Sequence, residues 1–155
     1  MYIVLPNSTT TDGDILRYVQ RLGIPDFRGV KMRDELPTKP RKNECGILNL
    51  NTHDQKGSHW VAWYKEGKER YYFDSFAEPP PIELMQYLKS NRELELDLPV
   101  IRRNAVTVQH DKSTECGSLC LFVLKHLANG IPFSKILEIL QERYKKRTLS
   151  LIIEI

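Results

Sequence analysis

The sequence predicts an α+β protein in which an amphipathic helix, a series of strands and further helices follow one another along the chain. Three observations carry this prediction. Apolar residues recur at helical spacing at residues 15–22, aromatic and β-branched runs succeed one another between residues 45 and 76, and helical spacing returns in the apolar segment at residues 119–127. Because the strands do not alternate with helices, we expect a central mixed or antiparallel sheet flanked by helices, and not βαβ units.

The first predicted helix spans residues 15–22, with candidate N-cap residues at 9–12 and a stop at Gly23. The segment that follows is rich in proline and glycine, and its residues 27–32 are a candidate for a short extended stretch. Residues 45–51 are mainly apolar and predict a buried strand.

Two aromatic-rich runs, at residues 59–64 and 70–76, predict a hairpin because only a short glycine-containing link separates them. Pro81 then marks the start of a helix that carries apolar residues between positions 82 and 88, since proline is favoured in the first turn. Residues 100–109 predict a further strand.

The most apolar helix follows a polar loop. We predict that it begins at about Cys116 and ends at Asn129-Gly130, a favourable C-terminal stop. Residues 133–140 predict another amphipathic helix. Residues 149–155 have strand character, but no partner strand can be assigned to them.

The bulk properties describe a small globular chain. Its 155 residues fit a single domain spanning positions 1–155, with 41% hydrophobic and 28% charged residues. The net charge of +3 and the pI of about 8.7 are mildly basic, and the basic residues are scattered, so nucleic acid is not demanded. Three cysteines argue for an intracellular, reducing compartment. No signal peptide and no membrane span are predicted.

Cys116 is the candidate nucleophile because it begins the predicted apolar helix. A helix N-terminus carries a partial positive charge and free N–H groups, which favour the nucleophilic thiolate over the thiol. Gln109, at the end of the preceding predicted strand, can offer a side-chain N–H to the same spot. With the backbone N–H of Cys116, this amide would hold a developing oxyanion.

Of the four histidines, His59 is the best candidate for a base because it stands where a loop meets a strand. His53 lies in a polar turn, His126 lies inside the apolar helix, and His110 is close to the nucleophile only in sequence. Asp74 ends the paired strand, so it can bond the second ring nitrogen of His59 and fix its tautomer. From these residues alone the triad stays open, since isolated cysteines and histidines are more often structural.

The other two cysteines have simpler interpretations. Cys120 lies one helical turn after Cys116 and is predicted to be a small core residue. A zinc site from this pair is disfavoured because no second ligand pair is present. Cys45 is predicted to pack in its strand. We therefore expect no metal and no cofactor.

Four motifs that follow one another in a specific order favour a catalytic interpretation over a structural one. They are Gly57-Ser58-His59-Trp60, Tyr72-Phe73-Asp74-Ser75-Phe76, Val108-Gln109 and Glu115-Cys116-Gly117. This order resembles the adenovirus protease (adenain) and SUMO-protease superfamily of cysteine peptidases, whose fold is related to that of papain. The resemblance implies that the general base is His59, its orienting acid Asp74, the nucleophile Cys116 and the oxyanion donor Gln109, with Trp60 and Gly117 as supporting or substrate-binding residues.

A narrower resemblance links the chain to the short proteases of Polinton or Maverick transposons and related DNA viruses. It is carried by residues 32–37 and 43–47. It implies a monomeric thiol protease that cleaves viral or capsid-type precursor proteins at small-residue sites inside the host cell or the virion. Activation by a peptide or by DNA is also implied. However, the position that corresponds to the cysteine linking the activating peptide in the adenovirus enzyme is Leu98, which cannot form that disulfide.

Three alternatives stay open. A protease that removes ubiquitin-like modifiers would use the same chemistry, although this chain is short for gripping a folded modifier. An acetyltransferase on the same fold would need a cofactor-binding insertion that the length does not accommodate. A non-catalytic binding module would leave the competent residues at all four site positions without a purpose.

Overall fold

The computed structural model describes residues 1–52, 54, 59–89, 100–147 and 150–155. The predictions made for His53, Gly57, Ser58, Leu98 and Leu149 lie outside the described residues. In chain order the elements are β1 (Tyr2–Val4), α1 (Asp12–Leu22), β2 (Phe27–Met32), β3 (Asn43–Asn49), β4 (Trp60–Glu66), β5 (Glu69–Phe73), α2 (Ile82–Lys89), β6 (Ile101–Arg103), α3 (Cys116–Ala128), α4 (Phe133–Lys146) and β7 (Ile152–Glu154).

The main sheet has five strands in the order β2-β3-β4-β5-β6. Its three central strands are antiparallel neighbours, while β2 and β6 pair in parallel at the two edges. The sheet is therefore mixed, and the predicted α+β class with a central sheet and flanking helices is confirmed. The predicted hairpin corresponds to β4 and β5, which turn at Gly67 with a positive φ of 58°.

Apolar side chains pack on both faces of this sheet, because successive residues of a strand point to opposite sides. On one face, Ile47, Ala62 and Phe73 join a core that contains α1, α3 and α4. On the other face, Leu48 and Trp63 join a smaller cluster built with α2. Helix α3 is buried along most of its length, as its apolar sequence predicts. Within the described ranges, no helix has the length and apolarity needed to cross a membrane.

Specific capping contacts define both ends of helix α1. The Thr11 hydroxyl accepts the Asp14 N–H, and the Asp14 carboxylate accepts the Thr11 N–H, which forms a capping box. At the other end, Gly23 takes a left-handed conformation with φ of 64° and closes the helix. The loop before α1 is thereby held at a defined angle beside the start of α3.

Two predicted strands need correction. The strand predicted at residues 100–109 is confined to Ile101–Arg103, because a side-chain amide and not a backbone ladder continues the pairing from Asn104. The apolar C-terminal segment does form a strand at Ile152–Glu154, and it pairs antiparallel with the unpredicted strand Tyr2–Val4. The two ends of the chain thus form a separate two-stranded sheet.

Candidate active site

Three elements bring the candidate residues to one end of the sheet. His59 immediately precedes β4 and Asp74 immediately follows the antiparallel β5, so both lie at the same end of the sheet. The His59 Nε2 lies 2.7 Å from the Asp74 Oδ1. The two residues are diagonal neighbours and not direct partners, since the register that pairs Ala62 with Phe73 would place His59 opposite Phe76.

The Asp74 carboxylate is held in a fixed position. The residue is 1% exposed, and its Oδ1 also accepts the backbone N–H of Phe76 at 2.9 Å. The Phe76 ring stacks on the His59 imidazole with centroids 5.0 Å apart. Hydrogen bond and stacking together restrict the rotation of the imidazole and leave its Nδ1 for a second partner.

That second partner is the Cys116 thiol. Cys116 is the first residue of α3 and is 7% exposed. The imidazole of His59 and the backbone N–H groups of Trp60 and Gly117 act on its sulfur and lower the pKa of the thiol. The structure therefore brings Cys116, His59 and Asp74 together, with His59 interacting with both of the others, which is the arrangement expected of a nucleophile, a base and an orienting acid.

Electrostatics favour the charged form of this pair. Burial acts to raise the pKa of the Cys116 thiol, but the bonds from His59, Trp60 and Gly117 prevail and lower it below its usual value. Burial acts to lower the pKa of His59, but Asp74 and Cys116 prevail and raise it to about 9. These opposite shifts favour a thiolate beside an imidazolium.

A bell-shaped pH profile of kcat/KM is expected, with its alkaline limb near pH 9. Above the pKa of about 9, His59 loses the proton that a leaving amine needs, so hydrolysis falls as the pH rises through that value. Alkylation of Cys116 requires only the thiolate, so its rate should rise with pH and then level off. Following both reactions from acid to alkaline pH tests the assignment.

The matched variant for this profile is Asp74→Asn. It removes the charge that helps to raise the pKa of His59, so the alkaline limb should move to lower pH. An alkaline limb that stays near pH 9 in Asp74→Asn would contradict the coupling of Asp74 to His59.

Gln109 lines the same cavity as His59 and Cys116 and is 2% exposed. Its Oε1 accepts the hydroxyl of Ser75, and its Nε2 donates to the Ser113 carbonyl at 2.8 Å. The Ser113 carbonyl can only accept, so it fixes which end of the amide is the donor. Because an amide nitrogen carries two hydrogens, one N–H is left for a substrate oxygen.

Replacement of Gln109 by alanine should lower kcat by about 10²- to 10³-fold, as is usual when one oxyanion donor is lost. KM should change little, because the oxyanion exists only in the transition state. Steady-state kinetics of Gln109→Ala and of the isosteric Gln109→Glu, which has no N–H to donate, would measure this. A loss confined to KM would instead assign Gln109 to ground-state binding.

Gly117 lies where a side chain has no room. An ideal Cβ at this position would stand 2.0 Å from the Thr10 Oγ1 and 3.3 Å from the Trp60 Cδ1. The Trp60 Nε1 donates to the Thr10 carbonyl at 3.1 Å, which holds these two residues together over the start of α3. The loop before α1 is thus packed against the first turn of the helix that carries Cys116.

We expect Gly117→Ala to destabilise the protein by about 1–3 kcal/mol, the usual cost of overpacking. Urea unfolding would measure this loss. The double variant Thr10→Ala/Gly117→Ala should recover most of it, because the atom at 2.0 Å is removed and the next contacts lie at 3.3 Å. Equal stability of the single and double variants would show that Thr10 is not the limiting neighbour.

The loop between Gln109 and Cys116 is attached to α4 at both ends. The Glu115 carboxylate makes a two-point ion pair with Arg143, with N–O distances of 2.9 and 2.6 Å. The His110 Nε2 lies 3.1 Å from the Tyr144 carbonyl, and the two rings stack with centroids 4.1 Å apart. His110 is therefore turned towards α4.

Several supporting residues were not predicted from the sequence, namely Thr10, Ser75, Asn104, Glu115 and Arg143. Each acts through a contact distant in sequence, such as Ser75 with Gln109 or Glu115 with Arg143. The one local signal was an acidic residue directly before the candidate nucleophile, which would disfavour a thiolate unless a cation neutralised it.

The two other thiols lie in apolar surroundings. Cys120 is fully buried, and burial raises its pKa well above the usual value. Burial also raises the pKa of Cys45 to about 12. Both are therefore poor nucleophiles compared with Cys116. Among the described residues, no cluster of three or more metal-ligating side chains occurs.

A groove of about 760 Å³ is lined in part by Cys116, at the start of α3. Residues 9–12, which lead into α1, form one wall, and residues 30–32 of β2 together with Glu35 form another. His59, Trp60 and Gln109 line the groove beside Cys116.

With this mixed sheet, its flanking helices and a cysteine at the start of a buried helix, the chain has the fold of the adenain and SUMO-protease type of cysteine peptidase. The structure is similar to that of the ASFV pS273R protease, with a TM-score of 0.58 and 16% identity over 90% of this chain and 67% of that chain. It is also similar to the SUMO protease Ulp1, with a TM-score of 0.51 and 14% identity over 88% of this chain and 75% of that chain. The sequence matches no protein-family model and no curated protein.

These comparisons confirm the predicted fold and its resemblance to the adenain and SUMO-protease type. At 14–16% identity the likeness concerns the fold. The narrower link to Polinton elements and the roles assigned to individual residues stay predictions.

Proposed function

We propose that this protein is a cysteine endopeptidase that uses Cys116 as nucleophile, His59 as acid and base, and Asp74 to orient the imidazole. One observation carries the proposal. A buried carboxylate lies 2.7 Å from an imidazole, and this imidazole and the thiol at the start of α3 shift each other's pKa values. This arrangement lowers the pKa of the thiol at the place where a groove reaches it.

In the proposed reaction the Cys116 thiolate attacks the carbonyl carbon of a peptide bond, and a carbon–sulfur bond forms. The resulting oxyanion accepts hydrogen bonds from the Gln109 side chain and the backbone at the start of α3. The carbon–nitrogen bond then breaks, and the proton on His59 passes to the leaving amine. Neutral His59 next takes a proton from water, whose hydroxide adds to the thioester and releases the acid and the thiolate.

The proposed substrates are viral or transposon precursor proteins of the capsid type, cut at small residues. The groove supports an extended substrate because its two walls approach Cys116 from α1 and β2. The preference for small residues beside the cleaved bond is proposed from the resemblance to proteases of the adenain type. We further propose a reducing compartment, which suits the catalytic thiolate, and a monomeric enzyme.

The test is a search for new protein termini. Unfolded proteins from a viral or bacterial lysate are incubated with the enzyme, and new N-termini are identified by mass spectrometry. We expect cleavage at small residues that disappears with Cys116→Ala. Absence of new termini across a range of reducing buffers, or identical termini with Cys116→Ala, would refute the proposal. The same assay with peptides and DNA added examines whether an activator is needed.

A second candidate is a protease that removes ubiquitin-like modifiers. It is favoured by the fold similarity to the SUMO protease Ulp1 over 88% of this chain. A modifier carrying a C-terminal electrophile would label Cys116 under this alternative, whereas a short peptide electrophile with the same last residues would react much more slowly. Equal labelling by both probes favours the endopeptidase.

A further inference from the structure

Asn104 contacts the backbone of the acid and not its carboxylate. It follows directly after β6, at the edge of the sheet, and is 2% exposed. Its Oδ1 accepts the N–H of Asp74 at 3.2 Å, and its Nδ2 donates to the carbonyl of Asp74 at 2.7 Å. The Nδ2 also donates to the Val106 carbonyl at 3.3 Å. One side chain therefore bonds both backbone groups of Asp74, and the Asp74 carbonyl also accepts the Ala77 N–H at 2.8 Å.

The contact between Asn104 and Asp74 takes the place of the backbone pairing that a longer β6 would provide. The parallel pairing of β5 with β6 ends at Tyr72 and Arg103, so Asp74 has no ladder partner on that side. Without Asn104 the buried N–H of Asp74 would lose its partner, which is costly in a protein interior, and its carbonyl would keep only the bond from the Ala77 N–H at 2.8 Å. The amide of Asn104 has the donor and acceptor geometry of a peptide bond, and it extends the pairing by one step to the residue that bears the acid.

The same loop also determines where Gln109 lies. The carbonyl of Ser75, next to Asp74, accepts the Val108 N–H at 2.8 Å and the Thr107 hydroxyl at 2.9 Å. The Ser75 hydroxyl in turn bonds the amide of Gln109. Residues 104–109 therefore hold the acid at one end and the oxyanion donor at the other.

We propose that Asn104 is a positioning residue of the proposed protease, which holds the backbone of Asp74 so that its carboxylate stays on the His59 Nε2. The inference rests on the proposed function, because positioning matters only if Asp74 orients a reacting histidine. Small displacements are sufficient to matter, since a shift of about 1 Å in a catalytic group can slow a reaction by about 100-fold.

The charges that face the triad limit what such a displacement can do. His59 faces Asp74 after β5 and Cys116 on α3. The charge of Asp74 also acts on Tyr72 of β5 and on Cys120 of α3, whose pKa values burial already raises. Asp74 and Cys116 are thus the two groups that raise the pKa of His59. If Asp74 moves away, the imidazole should lose its proton at lower pH.

The test compares Asn104→Ala with a matched control. We expect kcat to fall by about tenfold or more, KM to stay within about twofold, and the alkaline limb of the pH profile to move below pH 9. The control is Tyr87→Phe, which removes a buried hydrogen bond to Glu44 on the opposite face of the sheet. It should lose stability while keeping the kinetic constants and the pH profile. Asn104→Ser, which leaves a smaller gap, serves if Asn104→Ala does not fold.

A second comparison tests whether Asn104 acts through Asp74. In an Asp74→Asn background, Asn104→Ala should cause no further shift in the alkaline limb. A wild-type profile in Asn104→Ala, or equal kinetic losses in Asn104→Ala and Tyr87→Phe, would overturn the inference. A wild-type protein in which Cys116 is not selectively alkylated and no peptide is cleaved would refute the proposed function itself, which is a different result.

Discussion

Replacement of Cys116 by alanine is expected to abolish peptide hydrolysis, with kcat falling by about 10⁵- to 10⁶-fold as for other catalytic nucleophiles. The reason is that no other described thiol can replace it. Cys120 and Cys45 have no exposed surface, and burial raises the pKa of both. Binding of substrate should persist, because the groove walls at residues 9–12 and 30–32 are untouched.

Cys120→Ala is the matched control for this prediction. It removes a buried thiol one helical turn further along α3, so it should cost stability without loss of the nucleophile. Intact-mass measurement after treatment with a peptide electrophile should show one label on the wild type and on Cys120→Ala, and none on Cys116→Ala. Labels distributed over Cys45 and Cys120 would contradict the assignment of the nucleophile.

The second large effect is expected for His59→Ala. Loss of the general acid and base should lower kcat by about 10²- to 10⁴-fold. The same change removes the hydrogen bond and the positive charge that lower the pKa of Cys116, so the thiolate should form only at higher pH. Alkylation of Cys116 at neutral pH should therefore slow together with hydrolysis, which a loss of acid–base catalysis alone would not explain.

The control here is His126→Ala. His126 lies in the same helix as Cys116, and its Nδ1 stands 2.7 Å from the Phe122 carbonyl, away from the groove. Its replacement should leave the pH dependence of alkylation unchanged. If His59→Ala and His126→Ala altered the reactivity of Cys116 equally, the cause would be a loss of stability in α3 and not the loss of a thiolate–imidazolium pair.

Local patterns were sufficient to predict much of the fold. The capped helix α1, the hairpin of β4 and β5 and the apolar helix α3 all follow from spacing and punctuation within short windows. The hairpin and α3 also explain why His59, Asp74 and Cys116 could be selected as candidates, since each stands at the start or the end of one of these elements. Their roles in catalysis still await the experiments above.

Contacts between distant segments could not be predicted in this way. The strand at Tyr2–Val4 was not predicted, and it is defined by its pairing with Ile152–Glu154 at the other end of the chain. The strand predicted at residues 100–109 ends after Arg103, since the side chain of Asn104 takes over the pairing to Asp74. No periodicity distinguishes an edge strand from a loop whose side chains supply the hydrogen bonds.

The sequence by itself determined the α+β class, the order of the candidate site residues and the position of Cys116 at a helix start, because these depend on neighbouring residues. Only the tertiary structure decided the distance between His59 and Asp74, the orientation of Gln109 by Ser75 and the pairing of Glu115 with Arg143. The reason is physical. Hydrophobic periodicity records which face of an element is buried, whereas a hydrogen bond between distant residues depends on how the buried faces pack together.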